Sequence, residues 1–279
     1  MRVLIFGRHG QLGSTLTNIF KKNHKVLSLG HQEVDITDQY VVEQAFVKHK
    51  PQYVLNGAAN TQVEASESDA FGAYAVNAIG AYYVSLAAHR HKAVVVHIST
   101  DYVFDGKRSY YFETDSPSPL NIYGASKLAG EQLVMIANKH HYIVRTSALF
   151  GDKQVGSPPN FVDLVISSAL NKNNIKMVND QYTTPTYTED IGKAIYDLLE
   201  EELPFGIYHI KNNGSCSWYE FALYILKEAG ITYKIQPIKS SESSSNIVRP
   251  RSSILRSNYN FDLPSWENAV KRYLLNNKF

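Results

Sequence analysis

Short, continuous apolar segments alternate with longer segments of helical periodicity through about residue 147. Apolar runs without strict apolar–polar alternation are typical of strands that are buried on both faces of a parallel sheet. The pattern predicts strands at Val3–Phe6, Val26–Leu29, Tyr53–Leu55, Val94–Ile98 and Tyr142–Arg145. It predicts helices between them at Leu12–Lys22, Gln39–Lys48, Ala70–His89 and Ile122–Asn138. Because repeated strand–helix alternation implies right-handed crossovers, we predict an α/β fold with a doubly wound parallel sheet.

The alternation becomes less regular after residue 147. Further strands are predicted at Ile175–Val178 and Ile207–Ile210, and loops at Gly151–Pro159 and Ser240–Asn246. Helices are predicted at Phe161–Leu170, Glu189–Glu201, Trp218–Glu228 and Trp266–Leu275, with Ser215 or Ser217 as the cap of the third. We therefore predict a first domain at residues 1–147, completed by part of 175–205, and a smaller, irregular α+β lobe at residues 148–279.

A glycine-rich turn, Gly7-Arg-His-Gly10-Gln-Leu-Gly13, directly follows the first predicted strand and opens the first predicted helix. Glycines permit a tight turn and let the backbone approach a pyrophosphate, while the free N–H groups of the helix start bind negative charge. The alternative is a turn that only packs the helix against the strand. Its place at the first strand–helix junction favours a phosphate-binding turn. The first domain is therefore predicted to be a dinucleotide-binding Rossmann domain, which leaves substrate binding to the smaller lobe.

Two acidic residues, Glu33 and Asp35, follow this turn at about the distance from which a carboxylate binds the adenosine ribose, ~20 residues on. Neither residue comes directly at the end of the second predicted strand, where His31 lies instead. Both acids are alternatively solvated turn residues. The choice between NADH and NADPH therefore stays open.

The segment Tyr123-Gly-Ala-Ser-Lys127 places a phenol and an ammonium group on one face of a predicted helix. A free phenol titrates near pH ~10, and a neighbouring cation moves it toward the range of acid–base catalysis. With 19 tyrosines in the chain, such a spacing also arises by chance. The context supports it, because the preceding strand leads into Ser99-Thr100-Asp101, and ligands bind at the carboxyl edge of such sheets. Thr100 either hydrogen-bonds the Tyr123 hydroxyl or a substrate carbonyl, or merely caps the strand.

Composition narrows the class of protein further. Of the 279 residues, 44% are hydrophobic and 19% are charged, and the net charge is +2, which argues against nucleic-acid and membrane partners. The apolar start ends at Gly7, too early for a signal peptide, and no apolar stretch approaches the ~20 residues that span a bilayer. Cys216 is the single cysteine, which excludes an intrachain disulfide and a multi-cysteine metal site. A cytoplasmic enzyme is expected.

Segments along nearly the whole chain resemble the extended branch of the short-chain dehydrogenase/reductase superfamily, and more narrowly the dTDP-4-dehydrorhamnose reductase family. The matching segments are Gly7–Gly13, Asp35–Asp38, Asn56–Thr61, Val76–Asn77, Ser99–Gly106, Pro119–Lys127, Arg145–Ser147, Asn160–Phe161, Asn179–Tyr182, Pro185–Thr186, Gly206–His209 and Arg249–Pro250. The Ser-Thr-Asp-Tyr-Val-Phe block, together with the Asp-Gln and Pro-Thr pairs, is specific to the narrower family.

The resemblance implies a reductase that uses NADPH or NADH to reduce the C4 keto group of dTDP-4-dehydro-L-rhamnose. The product would be dTDP-L-rhamnose, a precursor of cell-surface polysaccharide. The resemblance implies that Thr100, Tyr123 and Lys127 are catalytic, with Tyr123 as the proton donor. The residues expected to bind the cofactor are Gly7, Gly10, Gln11, Leu12, Gly13, Asp35, Ile36, Ala58, Ala59, Asn60, Thr61, Tyr123 and Lys127. Those expected to bind the dTDP-ketosugar are Thr100, Asp101, Tyr102, Val103, Asn160 and Arg249, the last being either a diphosphate partner or a surface arginine.

Two positions depart from the family's pattern. Many members carry a tryptophan that stacks on the sugar where this chain has Ala148, so the exact sugar stays open. Some members form dimers bridged by Mg²⁺ on acidic side chains. Glu189 and Asp190 match two of these, but Thr15 stands in place of the acid of the first helix. We therefore predict no bound metal, and a homodimer without one stays an alternative.

Two other functions compete with this interpretation. A different sugar-nucleotide reductase or an epimerase would use the same residues, but an epimerase recycles its bound NAD whereas a reductase consumes one reduced cofactor per turnover. The non-catalytic regulatory subunit of methionine adenosyltransferase shares the fold and much of the pattern. The intact set of Thr100, Tyr123 and Lys127 argues against that role.

Overall fold

The computed structural model describes residues 1–152 and 159–277, so most of the predicted loop at Gly151–Pro159 lies outside the described residues. Its central sheet has 6 parallel strands in the order β10-β5-β4-β3-β1-β2. The strands are β1 (Arg2–Phe6), β2 (Lys25–Leu29), β3 (Tyr53–Asn56), β4 (Val94–Thr100), β5 (His141–Thr146) and β10 (Gly206–His209). The predicted doubly wound α/β fold is therefore confirmed. Among the described residues, no helix is both long and apolar enough to cross a membrane.

Helices cover both faces of this sheet. They are α1 (Gln11–Phe20), α2 (Gln39–His49), α3 (Val63–Ser68), α4 (Ala70–Tyr74), α5 (Ala81–Arg90), α6 (Ile122–Ala137) and α8 (Thr188–Glu200). Alternate residues of β1 enter opposite apolar cores: Val3 and Ile5 pack in the cluster that contains α1 and α8, and Leu4 and Phe6 pack in the cluster that contains α2 and α5. Because both faces are buried, the strand reads as a continuous apolar run.

The last helix and strand of the sheet come from the second half of the chain. Helix α8 packs against α1, where the Thr15 hydroxyl donates to the Thr188 hydroxyl at 2.9 Å. Strand β10 pairs with β5 and so completes the sheet. It ends at His209, four residues beyond the segment 175–205 that was predicted to complete the first domain. The predicted strand Ile175–Val178 (β7) exists but pairs with Ile235–Ile238 (β12) in a separate two-stranded sheet. The boundary between the two predicted domains stays a prediction.

One predicted helix, Ala70–His89, has an unexpected internal structure. A turn of π-helix, Ala75–Gly80, separates α4 from α5. Within this turn the buried Asn77 amide binds the backbone of Asn60, and Gly80 lies so close to Ile36 that an added Cβ would meet Ile36 at 2.7 Å. Turns of π-helix occur where tertiary contacts interrupt the normal ladder, and hydrophobic periodicity does not report them.

The smaller lobe packs its own apolar core. Its elements are β6 (Leu149–Phe150), α7 (Phe161–Leu170), β8 (Tyr182–Thr183), β9 (Thr186–Tyr187), β11 (Cys216–Ser217), α9 (Trp218–Glu228) and α10 (Trp266–Asn277), besides β7 and β12. The core is aromatic: Phe221 lies face to face with Phe161 and edge-on to Trp266. Ser217, one of the two predicted caps, forms a capping box with Glu220 at the start of α9. The predicted loop Ser240–Asn246 contains one 3₁₀ turn, Ser240–Glu242.

Candidate functional site

A cleft of about 400 Å³ lies at the carboxyl edge of the sheet. Its walls are residues 9–13 at the start of α1, the loop after β3, residues 98–101 at the end of β4, the side chains of Tyr123 and Lys127 on α6, and residues 146–149 after β5. Ligands of open α/β sheets bind at this edge because the loops diverge there.

The turn between β1 and α1 forms a glycine cradle, in which Gly7, Gly10 and Gly13 leave the backbone open to a ligand. Gly7 has φ +85°, and a Cβ on Gly13 would lie 2.1 Å from the Gly7 carbonyl oxygen, so only glycine fits at both positions. Helix α1 begins without a side-chain cap and has no acidic residue in its first turn. The Gln11 Oε1 atom is buried in the cleft wall and has no hydrogen-bond partner among the residues that the structure describes. The open N–H groups at the start of α1 fit the pyrophosphate of a dinucleotide, whereas the Gln11 oxygen can only accept a hydrogen bond from a donor group of a ligand.

Replacing Gly13 with alanine should break this cradle. The new Cβ would overlap the Gly7 carbonyl, so we expect a loss of about 1–3 kcal/mol in unfolding free energy and weaker cofactor binding. Gly10→Ala is the matched control, because a Cβ there meets only the Gly7 carbonyl oxygen, at 3.4 Å, and φ is an ordinary −72°. Chemical denaturation should show a stability loss for the Gly13 variant alone. Equal losses would contradict the steric argument.

Two charged side chains near the end of β2 can meet an adenosine ribose: Glu33, which follows β2, and Arg8, which lies in the turn after β1. Glu33 accepts a hydrogen bond from the Gly30 N–H at 2.7 Å, and it forms an ion pair with the Arg8 guanidinium at 2.5 Å. Asp35, the other predicted acid, instead accepts bonds from the backbone N–H and the hydroxyl of Thr37. Ile36 is buried in the sheet core. Neither Asp35 nor Ile36 lines the cleft, so their roles in cofactor binding stay predictions.

The loop after β3 contributes alternate residues to the cleft. Ala59 and Thr61 line it, whereas Ala58 and Asn60 hold the loop in place. The Asn77 side chain accepts from the Asn60 N–H at 2.8 Å and donates to the Asn60 carbonyl at 2.9 Å. It also donates to the Ser126 hydroxyl at 3.0 Å, which links the loop to α6. The sequence marked Asn77 only as part of a motif, since its role depends on the π-helical turn.

The tyrosine–lysine pair lies in the cleft, and burial shifts the pKa of both groups. Burial raises the pKa of Tyr123 to about 12, and the hydrogen bond with Thr100 opposes this only in part. The Lys127 ammonium donates instead to the Ile98 carbonyl at 2.5 Å. Desolvation is therefore the larger effect on the Tyr123 pKa, and the help of the ammonium in moving the phenol toward phenolate stays a prediction. The neutral phenol is the form that can give a proton.

Lys127 should set an alkaline limit on activity. Burial lowers the pKa of Lys127 to about 8, against the opposing effect of the Glu131 charge. A lowered pKa means that the ammonium is present below this pH and is lost as the pH rises through it. We therefore expect kcat/KM for the reduced cofactor to fall with a midpoint near pH 8 in wild type. Lys127→Arg, whose guanidinium stays charged, should be less active but lack this limb. An unchanged limb in the variant would assign it to another group.

The predicted substrate residues divide into two groups. Thr100 and Asp101 line the cleft, and the Tyr102 ring lies edge-on to Tyr123 at 5.9 Å. Val103 does not reach the cleft, since it is fully buried beside Phe104.

Two predicted substrate residues lie apart from the cleft walls. Asn160 caps α7 and donates to the Gly151 carbonyl and the Tyr273 hydroxyl, so its side chain is engaged in the smaller lobe. Arg249 pairs with Glu64 of α3 and donates to the Ser245 hydroxyl at 2.9 Å. Substrate contacts of Asn160 and Arg249 therefore stay predictions.

A buried ion pair lies directly beneath the cleft, and its role was not predicted from the sequence. Glu131 of α6 and Arg145 of β5 are 0% and 2% exposed, and they form two hydrogen bonds at 2.9 and 2.7 Å. The hydroxyl of Ser99, a cleft residue, donates to Glu131 at 2.5 Å. Glu131 lies one turn after Lys127, so a helical i,i+4 spacing of charges was the available signal.

Ala148 lines the cleft at the position where the resemblance placed a tryptophan. Its φ of +41° is a strained value for a residue with a Cβ. The carbonyl of Ala148 accepts from the Thr186 N–H at 3.2 Å, in the pairing of β6 with β9. The positive φ of Ala148 therefore occurs where the chain enters β6 and pairs with β9 of the smaller lobe.

Two of the three residues discussed for Mg²⁺, Thr15 and Asp190, have other partners. Thr15 bonds to Thr188, and Asp190 accepts from Arg272 at 2.5 Å and from Asn212 at 2.7 Å. Within residues 1–152 and 159–277, no group of three histidine, cysteine, aspartate or glutamate side chains is arranged to hold a metal ion.

The glycine cradle and the buried phenol lie together at the carboxyl edge of a parallel sheet. This arrangement defines a nicotinamide-dinucleotide oxidoreductase of the short-chain dehydrogenase/reductase class. The family model of the RmlD substrate binding domain matches residues 1–278, which is nearly the whole chain. The chain belongs to this family, the dTDP-4-dehydrorhamnose reductase family, as the resemblance implied.

Individual relatives agree with this assignment. The chain is 38% identical to the spore coat polysaccharide biosynthesis protein SpsK of Bacillus subtilis, over 98% of this chain and 96% of that protein. It is 39% identical to a dTDP-4-dehydrorhamnose reductase of Aggregatibacter actinomycetemcomitans, over 82% of this chain and 79% of that protein. A crystal structure of the Bacillus anthracis dTDP-4-dehydrorhamnose reductase in complex with NADP superposes with a TM-score of 0.93, at 36% identity and 99% coverage of both chains.

Proposed function

We propose that this protein uses NADPH or NADH to reduce the C4 keto group of dTDP-4-dehydro-L-rhamnose, and so forms dTDP-L-rhamnose. The observation that carries the proposal is the buried Tyr123 phenol, hydrogen-bonded to Thr100 in the cleft that the glycine cradle opens into. The names of relatives at 38% and 39% identity support a role in deoxysugar and polysaccharide synthesis.

Each group of the cleft has a definite task in this reaction. Bound reduced nicotinamide supplies the hydride. Tyr123, whose pKa of about 12 keeps it protonated at neutral pH, gives its proton to the ketone oxygen. Thr100 orients the phenol by their shared hydrogen bond. The Lys127 ammonium stabilises the negative charge that develops at the phenol oxygen as the proton leaves.

Both forms of the cofactor fit the end of β2. The carboxylate of Glu33 can accept hydrogen bonds from a free ribose hydroxyl, while the guanidinium of Arg8 can bind a 2′-phosphate. Because the two side chains are paired with each other, either one can be released to the ligand that needs it. We therefore propose that the enzyme accepts NADPH and NADH.

The test is to offer dTDP-4-dehydro-L-rhamnose with each reduced cofactor and to follow the absorbance of the nicotinamide. A reductase oxidises one cofactor per sugar reduced. Turnover of the sugar without net cofactor oxidation would indicate an epimerase, and binding without turnover would indicate a regulatory subunit. If the cofactor is oxidised only with a different dTDP-ketosugar, the type of reaction is retained and the sugar is a different one. Such a result would agree with Ala148 in place of the tryptophan that stacks on the sugar in many members of the family.

The partners of the protein follow from the same proposal. A nucleotide-sugar substrate and a nicotinamide cofactor are small molecules, so we expect neither nucleic acid nor a membrane among its partners. We also expect the reaction to take place in the cytoplasm. A homodimer would have to form without Mg²⁺, because the Asp190 carboxylate is engaged by Arg272 and Asn212.

A further inference from the structure

Asp101 is a buried carboxyl group in the wall of the cleft. It follows directly after β4 and is only 3% exposed. The Thr100 hydroxyl donates to its Oδ1 atom at 3.1 Å, and the Thr183 hydroxyl lies 3.5 Å from Oδ2. The ion pairs of residues 1–152 and 159–277 do not include it. Its contacts are therefore with hydroxyl groups rather than with a cation.

A carboxyl group in such a place can hold a proton near neutral pH. Burial raises the pKa of Asp101 to about 6, while hydrogen bonds from Ser253, Thr100 and Thr183 oppose the shift. A buried carboxylate lacks both hydration and a counter-ion, so the neutral form gains in relative stability. Both protonation states of Asp101 are therefore accessible around pH 6.

A continuous chain of hydroxyl groups joins Asp101 to the proton donor. Tyr123 is hydrogen-bonded to the Thr100 hydroxyl, and the Thr100 hydroxyl donates to Asp101. Each link can reverse its direction by rotation of a hydroxyl, which is what transfer along such a chain requires. We propose that Asp101 is the proton reservoir of the reaction, which returns to Tyr123, through Thr100, the proton that Tyr123 gives to the ketone oxygen. This inference rests on the proposed function.

The transfer balances in protons and charge. Reduction leaves the Tyr123 oxygen as a phenolate. The Thr100 O–H bond then breaks as a new O–H bond forms on Tyr123, and the Asp101 O–H bond breaks as its proton moves to Thr100. The net result is a neutral phenol and an Asp101 carboxylate. Because Asp101 lines the cleft, water can protonate the carboxylate again when the product leaves.

The other titratable groups around Asp101 are occupied differently. On its own segment Tyr102 is held neutral, since burial and the Asp101 charge raise the Tyr102 pKa. Arg249, which faces Tyr102, is paired with Glu64. On α6 the Lys127 ammonium is bound to the Ile98 carbonyl. None of these side-chain groups is hydrogen-bonded to the Thr100 hydroxyl, so none of them takes part in the chain from Asp101 to Tyr123.

The experiment compares the first turnover with later ones. In Asp101→Asn the phenol begins protonated, so a rapid-mixing trace of nicotinamide absorbance should show a first turnover within about threefold of wild type. Later turnovers need a new proton and should slow by about tenfold or more, which gives a burst of one cofactor per site. Their rate should also show a larger solvent deuterium isotope effect. Asp101→Glu, which keeps a carboxyl, should recover part of the later rate.

Asp105→Asn is the matched control, because Asp105 lies four residues further along and does not line the cleft. It should show no burst. The proposal is overturned if the Asp101→Asn variant turns over normally, if its first turnover falls as far as later ones, or if only its KM for the sugar rises. Absence of any turnover in wild type would instead defeat the proposed function.

A second readout does not depend on the sugar. Carbon-13 NMR of the full chain labelled at aspartate carboxyl carbons should show one resonance that titrates near pH 6 and that is missing in Asp101→Asn. Addition of NADP⁺ should leave that resonance in place. If the missing resonance titrates instead near the usual value of about 3.9, Asp101 does not store a proton and the inference is wrong.

Discussion

Replacing Tyr123 with phenylalanine should lower kcat by about 10²–10⁴-fold, the range that a positioned general acid contributes. The variant keeps the ring and its edge-on contact with Tyr102 but removes the only hydroxyl on that side chain. The hydride would then have to reach the carbonyl carbon without a proton on the oxygen. Cofactor affinity, measured by quenching of protein fluorescence, should change by no more than about threefold because the glycine cradle is untouched.

The matched control is Tyr40→Phe. Tyr40 lies on α2 with 71% of its surface exposed, so loss of its hydroxyl should leave kcat unchanged. A Tyr123 variant with full activity would remove the phenol from the mechanism. A variant that also loses cofactor binding would point to a role in shaping the site rather than in proton donation.

The second large effect concerns the ion pair beneath the cleft. Glu131→Gln keeps the size of the side chain but leaves the Arg145 guanidinium buried without a counter-ion. Loss of one partner of a buried pair costs about 3–5 kcal/mol, and urea denaturation should show a loss of that size. The alkaline limb of activity should also shift to lower pH, because the Glu131 charge supports the Lys127 ammonium.

Two comparisons test this explanation. The double variant Glu131→Leu/Arg145→Met removes both charges and should recover much of the lost stability, since the cost lies in the unpaired charge. Arg108→Ala, which removes a partner of the exposed pair with Asp115 at 2.6 Å, should cost less than about 1 kcal/mol. A small loss in Glu131→Gln would mean that water or a rearranged Ser99 compensates the arginine.

Local patterns predicted most of the fold because the elements obey rules that act over a few residues. The helices Phe161–Leu170 and Trp218–Glu228 begin and end where periodicity and capping placed them. The strands of the first half were placed within one or two residues at each end. The π-helical turn at Ala75–Gly80 was missed, because contacts of Asn77 and Gly80 with distant residues accompany it.

The candidate site divides in the same way. Residues that act through the backbone or stand at a strand end, such as Gly13 and Thr100, were recognisable because position along the chain defines their role. The contacts that side chains make with partners far away in the sequence could not be predicted. Asn160 is engaged as a helix cap and by Tyr273, and Arg249 is paired with Glu64, and neither partner is near in sequence.

The sequence by itself determined the parallel sheet, the glycine cradle and the Tyr123–Lys127 spacing, because hydrophobic periodicity and steric limits are local. Only the tertiary structure decided the electrostatics. Burial raises the Tyr123 pKa and lowers the Lys127 pKa, and the spacing of the pair predicted neither shift. The reason is physical: a pKa depends on how much water is excluded and on which partners arrive from elsewhere in the chain, and neither quantity is written in the spacing of two residues.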